Sequence, residues 1–326
     1  MSHQTKKNNI IVCGIGKHAR KNILPAVLES KTLNLYGICT RNDDVLFNTV
    51  EEYQCLPFSD FNKILNDPKV DIIYLATPPG LHYEHGTKAL SSGKHVWIEK
   101  PLTTDIRKTK KLIELASKNN LSLCEGLMYL HDQHFYELKR YISKNLLGQI
   151  RHISSKLGLP EMSQPGFRFN KELGASCLYD VGIYPISLIL NLFPEKEITI
   201  KNSQLVFDES TGIDIAGSCS LLIDSRINCN LDWSYNISYR NEVDIWGEES
   251  SLFTRKIFSK DKNYIPNLII SNVNGVISEI ELDKSNHFLS MLNFFTKTIT
   301  DNNIAKEQRT QISRLAECLN RINEIG

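Results

Sequence analysis

A chain of 326 residues, 41% hydrophobic and 23% charged, has the composition of a folded globular protein and the length for two domains. Its net charge of +1 gives no bulk electrostatic reason to expect nucleic acid or an anionic membrane as partner. The start, MSHQTKKNN, lacks the apolar core of a signal peptide, no apolar run reaches membrane-spanning length, and the cysteines form no CxxC pair, so the sequence predicts a reduced, cytoplasmic protein without structural disulfides or bound metal.

Asn9 to Cys13 reads as a buried strand. Gly14-Ile15-Gly16-Lys17-His18-Ala19 follows, ahead of a helix with Ile23, Ala26 and Val27 inward. A GxGxxA turn between strand and helix is the setting of a dinucleotide fingerprint. The glycines permit a tight turn and a close approach of backbone to pyrophosphate, and the helix N-terminus offers N–H groups to the anion. Gly14, Gly16, Lys17, His18 and Ala19 are therefore the predicted phosphate cradle. The next strand, Leu35 to Cys39, ends in Thr40-Arg41-Asn42. An acid at this tip would take the ribose hydroxyl of NAD, whereas an arginine suits the 2′-phosphate of NADP. Asp43 and Asp44 come late and read as the start of a helix. Thr40 and Arg41 thus favour NADP, with NAD possible; the other reading of Arg41 is a solvated loop residue.

Asp71 to Ala76 is a further apolar strand, followed by Thr77-Pro78 and a helix through Ala89 and Leu90 that stops at Gly93. His95 to Ile98 then runs straight into Glu99-Lys100-Pro101. Charges at the carboxyl end of a parallel strand lie where open α/β sheets bind ligands. A lysine held there can touch a cofactor and a substrate together; the alternative is a surface charge pair before a loop proline. A helix with Ile106, Leu112, Ile113 and Ala116 on one face and a strand from Leu121 to Cys124 complete the first half. Strands alternating with helices at this rhythm predict a doubly wound parallel sheet.

From Gly148 the pattern changes. Arg151–Gly158, Gln204–Phe207, Ala216–Ile223, Ile227–Trp233 and Glu242–Trp246 read as strands, two of them joined by an Asp224-Ser225 turn. Two amphipathic helices close the chain, one with Phe288, Met291, Leu292, Phe295 and Ile299 on its apolar stripe. Between these elements lies Gly174 to Pro185. In a helix starting near Ser176, Asp180 and Tyr184 are four apart and share a face, so both can point at one pocket. The competing reading is that Asp180 pairs locally and Tyr184 is a half-buried core residue. Arg168 is either a substrate-site residue or half of a structural ion pair.

Taken together, GIGKHA, ATPPGLHYEHGTKAL, SSGKHVWIEKPLT and EGLMYLHDQHF resemble the Gfo/Idh/MocA family, the relatives of glucose-fructose oxidoreductase and inositol dehydrogenase. The segment from Gly174 is similar to that family's GGGALxDxGxY signature, with Ala175-Ser176 in place of two glycines, and Leu252 to Phe258 resembles one of its late strands. The resemblance implies an α/β Rossmann domain with a doubly wound parallel sheet over residues 1–124. It implies an α+β substrate and oligomerisation domain over 125–326, with a large, mostly antiparallel open sheet. It also implies that Glu99 and Lys100 lie beside the nicotinamide and its ribose, and that Thr77, Pro78 and His82 line the cofactor. Tyr184, where inositol-dehydrogenase-like members carry histidine, makes the chain resemble glucose-fructose oxidoreductase, dihydrodiol and aldose dehydrogenases and the ketoreductases of nucleotide-linked deoxysugars. Asp132 stands where relatives usually have proline.

The expected activity is hydride transfer between NAD(P) and a carbonyl or hydroxyl carbon of a sugar or sugar derivative. Reducing a ketone needs a hydride on carbon and a proton on oxygen. A free tyrosine, with a pKa near ~10, exchanges poorly near neutrality, and an adjacent ammonium lowers that value. Tyr184 is thus the expected proton donor and Lys100 its tuning charge. Asp180 holds the lysine or binds a substrate hydroxyl. The alternatives are an aldose or dihydrodiol dehydrogenase, and a regulator that senses dinucleotide without chemistry. A homodimer or homotetramer is expected, with Ile227, Leu231 and Trp233 as the face left for a partner subunit.

Overall fold

The structure is a computed structural model that describes residues 7–163 and 166–326. It divides into one unit built from the chain up to Leu127 plus Phe288–Ser313, and a second built from Met128–His287 plus Arg314–Gly326.

The first unit holds six strands, β1 (Asn8–Cys13), β2 (Leu33–Cys39), β3 (Leu56–Phe58), β4 (Ile72–Leu75), β5 (His95–Glu99) and β6 (Leu123–Gly126). They are all parallel, in the order β3-β2-β1-β4-β5-β6. The central strands are apolar without alternation because both faces are covered: Ile10 to Val12, Ile72 to Leu75 and Val96 to Ile98 are all fully buried. The covering helices are α1 (Leu24–Glu29), entered through a π turn, α2 (Asp43–Tyr53), α3 (Phe61–Leu65), α4 (Pro79–Ser91) and α5 (Ile106–Lys118). Each start is chemically marked. Asn42, Asp60 and Asp105 cap α2, α3 and α5 with a side-chain oxygen, and Pro79 opens α4. Asp43 and Asp44 fall in the first turn of α2, as their late position predicts. The strand order reverses between β1 and β4, which opens a crevice at the carboxyl ends of these strands.

The second unit contains α6 (Gln133–Ser143), β7 (Ile150–Gly158), α7 (Ile183–Leu192), β8 (Ile198–Phe207), β9 (Asp214–Ile223), β10 (Ile227–Ser234), β11 (Arg240–Gly247), β12 (Ser250–Arg255), β13 (Asn267–Asn272) and β14 (Ile277–Glu281). Its eight-stranded sheet runs β14-β13-β12-β11-β7-β10-β9-β8. All pairs are antiparallel except β7 with β10. The strand expected to continue to Phe258 stops at Arg255. The stretch Lys171–Leu192 has the length and hydropathy of a membrane span, yet 78% of its most apolar window is buried within the fold, so its apolar surface already serves as core.

One expectation is corrected here. Ile227, Leu231 and Trp233 do not form an uncovered face: Leu231 is 0% and Trp233 2% exposed within the single chain. The Trp233 indole lies so close over Gly182 and Gly217 that a Cβ at those positions would come within 2.9 and 2.6 Å of it. The alternate residues of β10, namely Asn228, Asn230 and Asp232, are the exposed ones. Side chains alternate along a strand, so the apolar set marks the covered side.

Two closing helices, α8 (His287–Thr300) and α9 (Asn302–Ile325), follow. The sequence assigns them to the second domain; in the structure Phe288–Ser313 belong to the first unit. Phe295 meets Trp97 edge-on at 5.4 Å, Thr298 shares a 2.5 Å hydrogen bond with Ser122, and Ile312 joins the core beneath β5 and β6.

Candidate active site

The first unit gathers its candidate residues at the carboxyl ends of the parallel strands. Gly14 has φ +90° and no room for a side chain, since a Cβ would sit 2.7 Å from the backbone of Ala76 and Thr77. Its N–H donates to Cys39 O at 2.9 Å, which fixes the turn to the neighbouring strand. Gly16 is the opposite case: a Cβ there meets nothing within 4 Å. The turn is therefore closed below by Gly14 and open above at Gly16. Gly16, Lys17 and His18 are exposed and Ala19 is buried against the sheet. Helix N–H groups begin at this open side, which suits an approaching pyrophosphate. Arg41 is exposed at the tip of β2, beside Thr40, whose N–H donates to Phe58 O at 3.1 Å.

The β4 and β5 tips complete this side. Thr77 carries a buried hydroxyl with no hydrogen-bond partner among the described residues, the kind of orphaned group that a bound ligand satisfies. Pro78 is the residue at which α4 starts. Glu99 takes the Tyr74 hydroxyl at 2.5 Å and His18 Nε2 at 2.9 Å. Burial pushes the Glu99 carboxyl up, but His18, the Tyr74 hydroxyl and Lys100 together hold its pKa below the ordinary value. Lys100 follows at the end of the strand, joined to Pro101 by a cis peptide. His82 does not line an open groove. It is 0% exposed, with its ring nitrogens against the carbonyls of Pro101 and Thr77. Glu125, which the sequence reading passed over, sits buried at the end of β6 and accepts the Leu102 N–H at 2.6 Å. Burial lifts its pKa to about 7. Its only sequence signal is the acid in the EG pair that ends an apolar strand.

An open glycine turn, an exposed arginine at the second strand tip and an orphaned hydroxyl at the fourth strand fit a dinucleotide. Together they offer donors to its phosphates, a cation for a 2′-phosphate and a hydroxyl for the far end.

The second unit holds the other candidates. A π turn, Leu178–Gly182, precedes α7, and the helical stretch begins at Cys177, next to the expected start near Ser176. The Asp214 carboxylate caps this start by accepting the Leu178 N–H at 2.6 Å. Asp180 and Tyr184 are both buried. Asp180 accepts from Arg168 Nε at 2.6 Å and from the Tyr235 hydroxyl at 2.9 Å. Burial opposes the Arg168 charge, yet Asp180, with Tyr235 and Tyr184 behind it, holds the guanidinium pKa above its ordinary value. Burial and Asp180 push the Tyr235 phenol up, so it is a donor and not a phenolate.

Tyr184 is 8% exposed and lies between the rings of Tyr129, at 5.9 Å, and Phe258, at 5.6 Å. Its hydroxyl points at the Met128 thioether, a weak acceptor 3.9 Å away. The Ser187 hydroxyl donates to Tyr184 O at 2.9 Å and so accepts the Tyr129 hydroxyl at 2.7 Å. Tyr129 thus braces the helix turn that carries Tyr184. Asp132 caps α6 through His134 N at 2.8 Å, takes the Ser285 hydroxyl at 2.5 Å, and pairs with Lys260 at 2.9 Å. A proline there would supply none of these contacts.

Comparison with known proteins fits this arrangement. Residues 8–127 match the family described as oxidoreductase family, NAD-binding Rossmann fold, and residues 135–253 match the GFO/IDH/MocA C-terminal domain. The chain is 25% identical over 294 residues to the dTDP-3,4-didehydro-2,6-dideoxy-alpha-D-glucose 3-reductase of Saccharopolyspora spinosa, covering 90% of this chain and 88% of that protein. It is also 25% identical over 274 residues to the scyllo-inositol 2-dehydrogenase (NADP(+)) IolU of Bacillus subtilis, covering 78% and 82% of the two. Among solved structures it is similar to KijD10, a 3-ketoreductase from Actinomadura kijaniata in complex with NADP and TDP-benzene. The TM-score is 0.93 at 23% identity over 98% of both chains.

Proposed function

The chain belongs to the Gfo/Idh/MocA family of oxidoreductases, and from that premise we propose that it reduces the keto group of a nucleotide-linked sugar with NADPH. Membership makes it a nicotinamide-dependent oxidoreductase that works between an alcohol carbon and a carbonyl carbon of a sugar-type substrate. The substrate class draws on the dTDP-ketosugar reductase of S. spinosa, aligned over 90% of this chain. The observation that carries the reductase assignment is Tyr184: a phenol 8% exposed, ring-clamped on α7, with a thioether facing its hydroxyl.

When bound, the nicotinamide supplies the hydride. The open side of the Gly14–Gly16 turn receives the pyrophosphate, and Arg41 receives the 2′-phosphate. Thr77 and Glu99 hold hydroxyls at the nicotinamide end, and Lys100 provides a cation there. Tyr184 Oη delivers the proton to the carbonyl oxygen as it becomes an alcohol. Asp180 fixes Arg168 and Tyr235, and the Arg168 guanidinium is the substrate-facing member of that set. The test is reduced-nicotinamide absorbance with NADPH and a dTDP-linked ketodeoxysugar. Loss of absorbance supports the reductase. Tight NADPH binding without turnover, across nucleotide-linked and free ketosugars and inositols, makes the chain a sensor.

Assembly as a homodimer or homotetramer goes with this reading. The uncovered side of the eight-stranded sheet carries Trp246, 52% exposed and 4.8 Å from the His152 ring, among polar neighbours. Trp246→Arg should convert the assembly to monomers in light scattering, and a wild-type monomer at micromolar concentration removes the idea. The eight free cysteines suit a reducing compartment such as the cytoplasm.

A further inference from the structure

His82 is fully buried on α4, and its two ring nitrogens face two different loops. Nδ1 lies 2.9 Å from the carbonyl oxygen of Pro101, and Nε2 lies 2.7 Å from that of Thr77. A carbonyl oxygen only accepts. A neutral imidazole has one N–H, so it satisfies one oxygen and turns a bare lone pair on the other. The imidazolium has a donor for each.

The two loops are not arbitrary. Thr77 starts the tip of β4, and Pro101 directly follows Glu99 and Lys100 at the tip of β5. The next residue, Leu102, is held from another side by the Glu125 carboxylate at 2.6 Å. We propose that His82 is a positioning residue, a buried imidazolium clamp that ties the Thr77 loop to the Lys100–Pro101 turn and so sets Lys100 and Glu99 for the nicotinamide end of the cofactor.

The charges around the ring bear on this. Burial is the largest influence and on electrostatics alone holds the ring pKa below its ordinary value, against the Pro101, Thr77 and Leu102 backbone and the Glu99 charge, which pull it toward the cation; the case for the cation is therefore the geometry of the two contacts. His85, on the same helix, is the other titratable group that feels His82, and its own pKa is lowered chiefly by burial, so it adds little opposing charge near neutrality. Counting donors decides the balance, because two short contacts to acceptors leave no place for a ring nitrogen without hydrogen. Charge-assisted hydrogen bonds at both ends and a carboxylate nearby are the conditions under which a buried cation persists.

The functional half of this inference rests on the cofactor reading above, and the experiment separates the two. In the first arm, nitrogen-15 NMR of histidine-labelled, cofactor-free protein near pH ~8, well above the ordinary histidine pKa of about 6.5, reads the ring directly. His82, assigned through its backbone, is expected to show both nitrogens protonated. One protonated and one bare nitrogen would overturn the charged clamp. In the second arm, binding of NADPH and of 2′-phospho-ADP-ribose, which lacks the nicotinamide, is compared in wild type and His82→Gln. NADPH should weaken by roughly tenfold or more beyond any weakening of the fragment. Equal weakening of both ligands would mean that His82 serves folding alone and would overturn the positioning role. Failure of wild type to bind NADPH counts against the cofactor reading, and the NMR arm then decides the clamp.

Discussion

His18 Nε2 and Glu99 Oε1 stand 2.9 Å apart although 81 residues separate them in the chain. The Asn22 side-chain amide donates to His18 Nδ1 at 3.1 Å, so Nε2 carries the hydrogen and donates to Glu99. The same carboxylate oxygen takes the Tyr74 hydroxyl at 2.5 Å. The glycine turn that is offered to the phosphates is thereby tied to the strand tip that carries Lys100. One carboxylate organises both ends of the cofactor side.

This carboxylate makes stability depend on pH. His18, Tyr74 and Lys100 outweigh burial and hold the Glu99 pKa below its ordinary value. A group whose folded pKa is depressed stabilises the protein above its unfolded pKa, about 4.3 for glutamate. That contribution disappears as pH falls through the folded value. Glu99→Gln should therefore melt roughly 2–4 °C below wild type at neutral pH, and the gap should close below pH ~4. A gap that persists unchanged into acid means that the substitution acts through packing.

Arg41 is exposed at the tip of β2, free to reach outward from the second strand. A pairing of Arg41 with a 2′-phosphate would be worth about 1.5–3 kcal/mol as a charge-assisted contact. Arg41→Ala should weaken NADPH by roughly tenfold to a hundredfold and leave NADH almost unchanged. Titration of cofactor fluorescence checks this, and equal losses for both cofactors exclude Arg41 as the phosphate reader.

For the chemistry, Tyr184→Phe removes one hydroxyl, which faces the Met128 thioether at 3.9 Å, and it keeps the ring between Tyr129 and Phe258. The fold and NADPH affinity should survive. Turnover should fall by roughly a hundredfold to ten-thousandfold, the range for losing a positioned general acid. Near-normal turnover on a confirmed ketone substrate moves the acid role to another group.

The pair of Lys260, 0% exposed, and Asp132, 1% exposed, is a stability prediction. Lys260→Met leaves a buried carboxylate without its cation and should cost about 3–5 kcal/mol. Adding Asp132→Asn should restore much of that, since the amide keeps an oxygen for His134 N and needs no counter-ion. Denaturant midpoints of the two variants decide it: a double variant less stable than the single one shows that the pair is not the source of the loss.

The parallel sheet was legible because its strands are apolar on both faces and its turns carry glycine, capping acids and Pro79. The three-residue β3 escaped notice because it is short and contains Pro57. β14 escaped because all five of its residues are exposed, so no covered face imprints a pattern. Local motifs likewise singled out Glu99, Lys100, Asp180 and Tyr184 as candidates. They did not reveal that Asp180 is engaged by Arg168 and Tyr235, that His82 faces two carbonyls, or that Asp132 pairs with Lys260. Those relations join residues distant in sequence, and periodicity records burial, not partners. The reversed face of β10 is the same lesson in another form: three apolar side chains on one side predict a cover, but not which chain supplies it.

Segment Phe288–Ser313 has a consequence for synthesis. The ribosome releases the six parallel strands early, yet Trp97 lacks its Phe295 neighbour and Ser122 its Thr298 bond until roughly 170 further residues have been made. Domains that fold as contiguous stretches can complete during translation. The nucleotide unit of this protein cannot, so the nascent chain must carry an unfinished apolar flank while Met128–His287 are made, and a fragment ending at Leu127 should be a client for chaperones and not a miniature cofactor-binding protein.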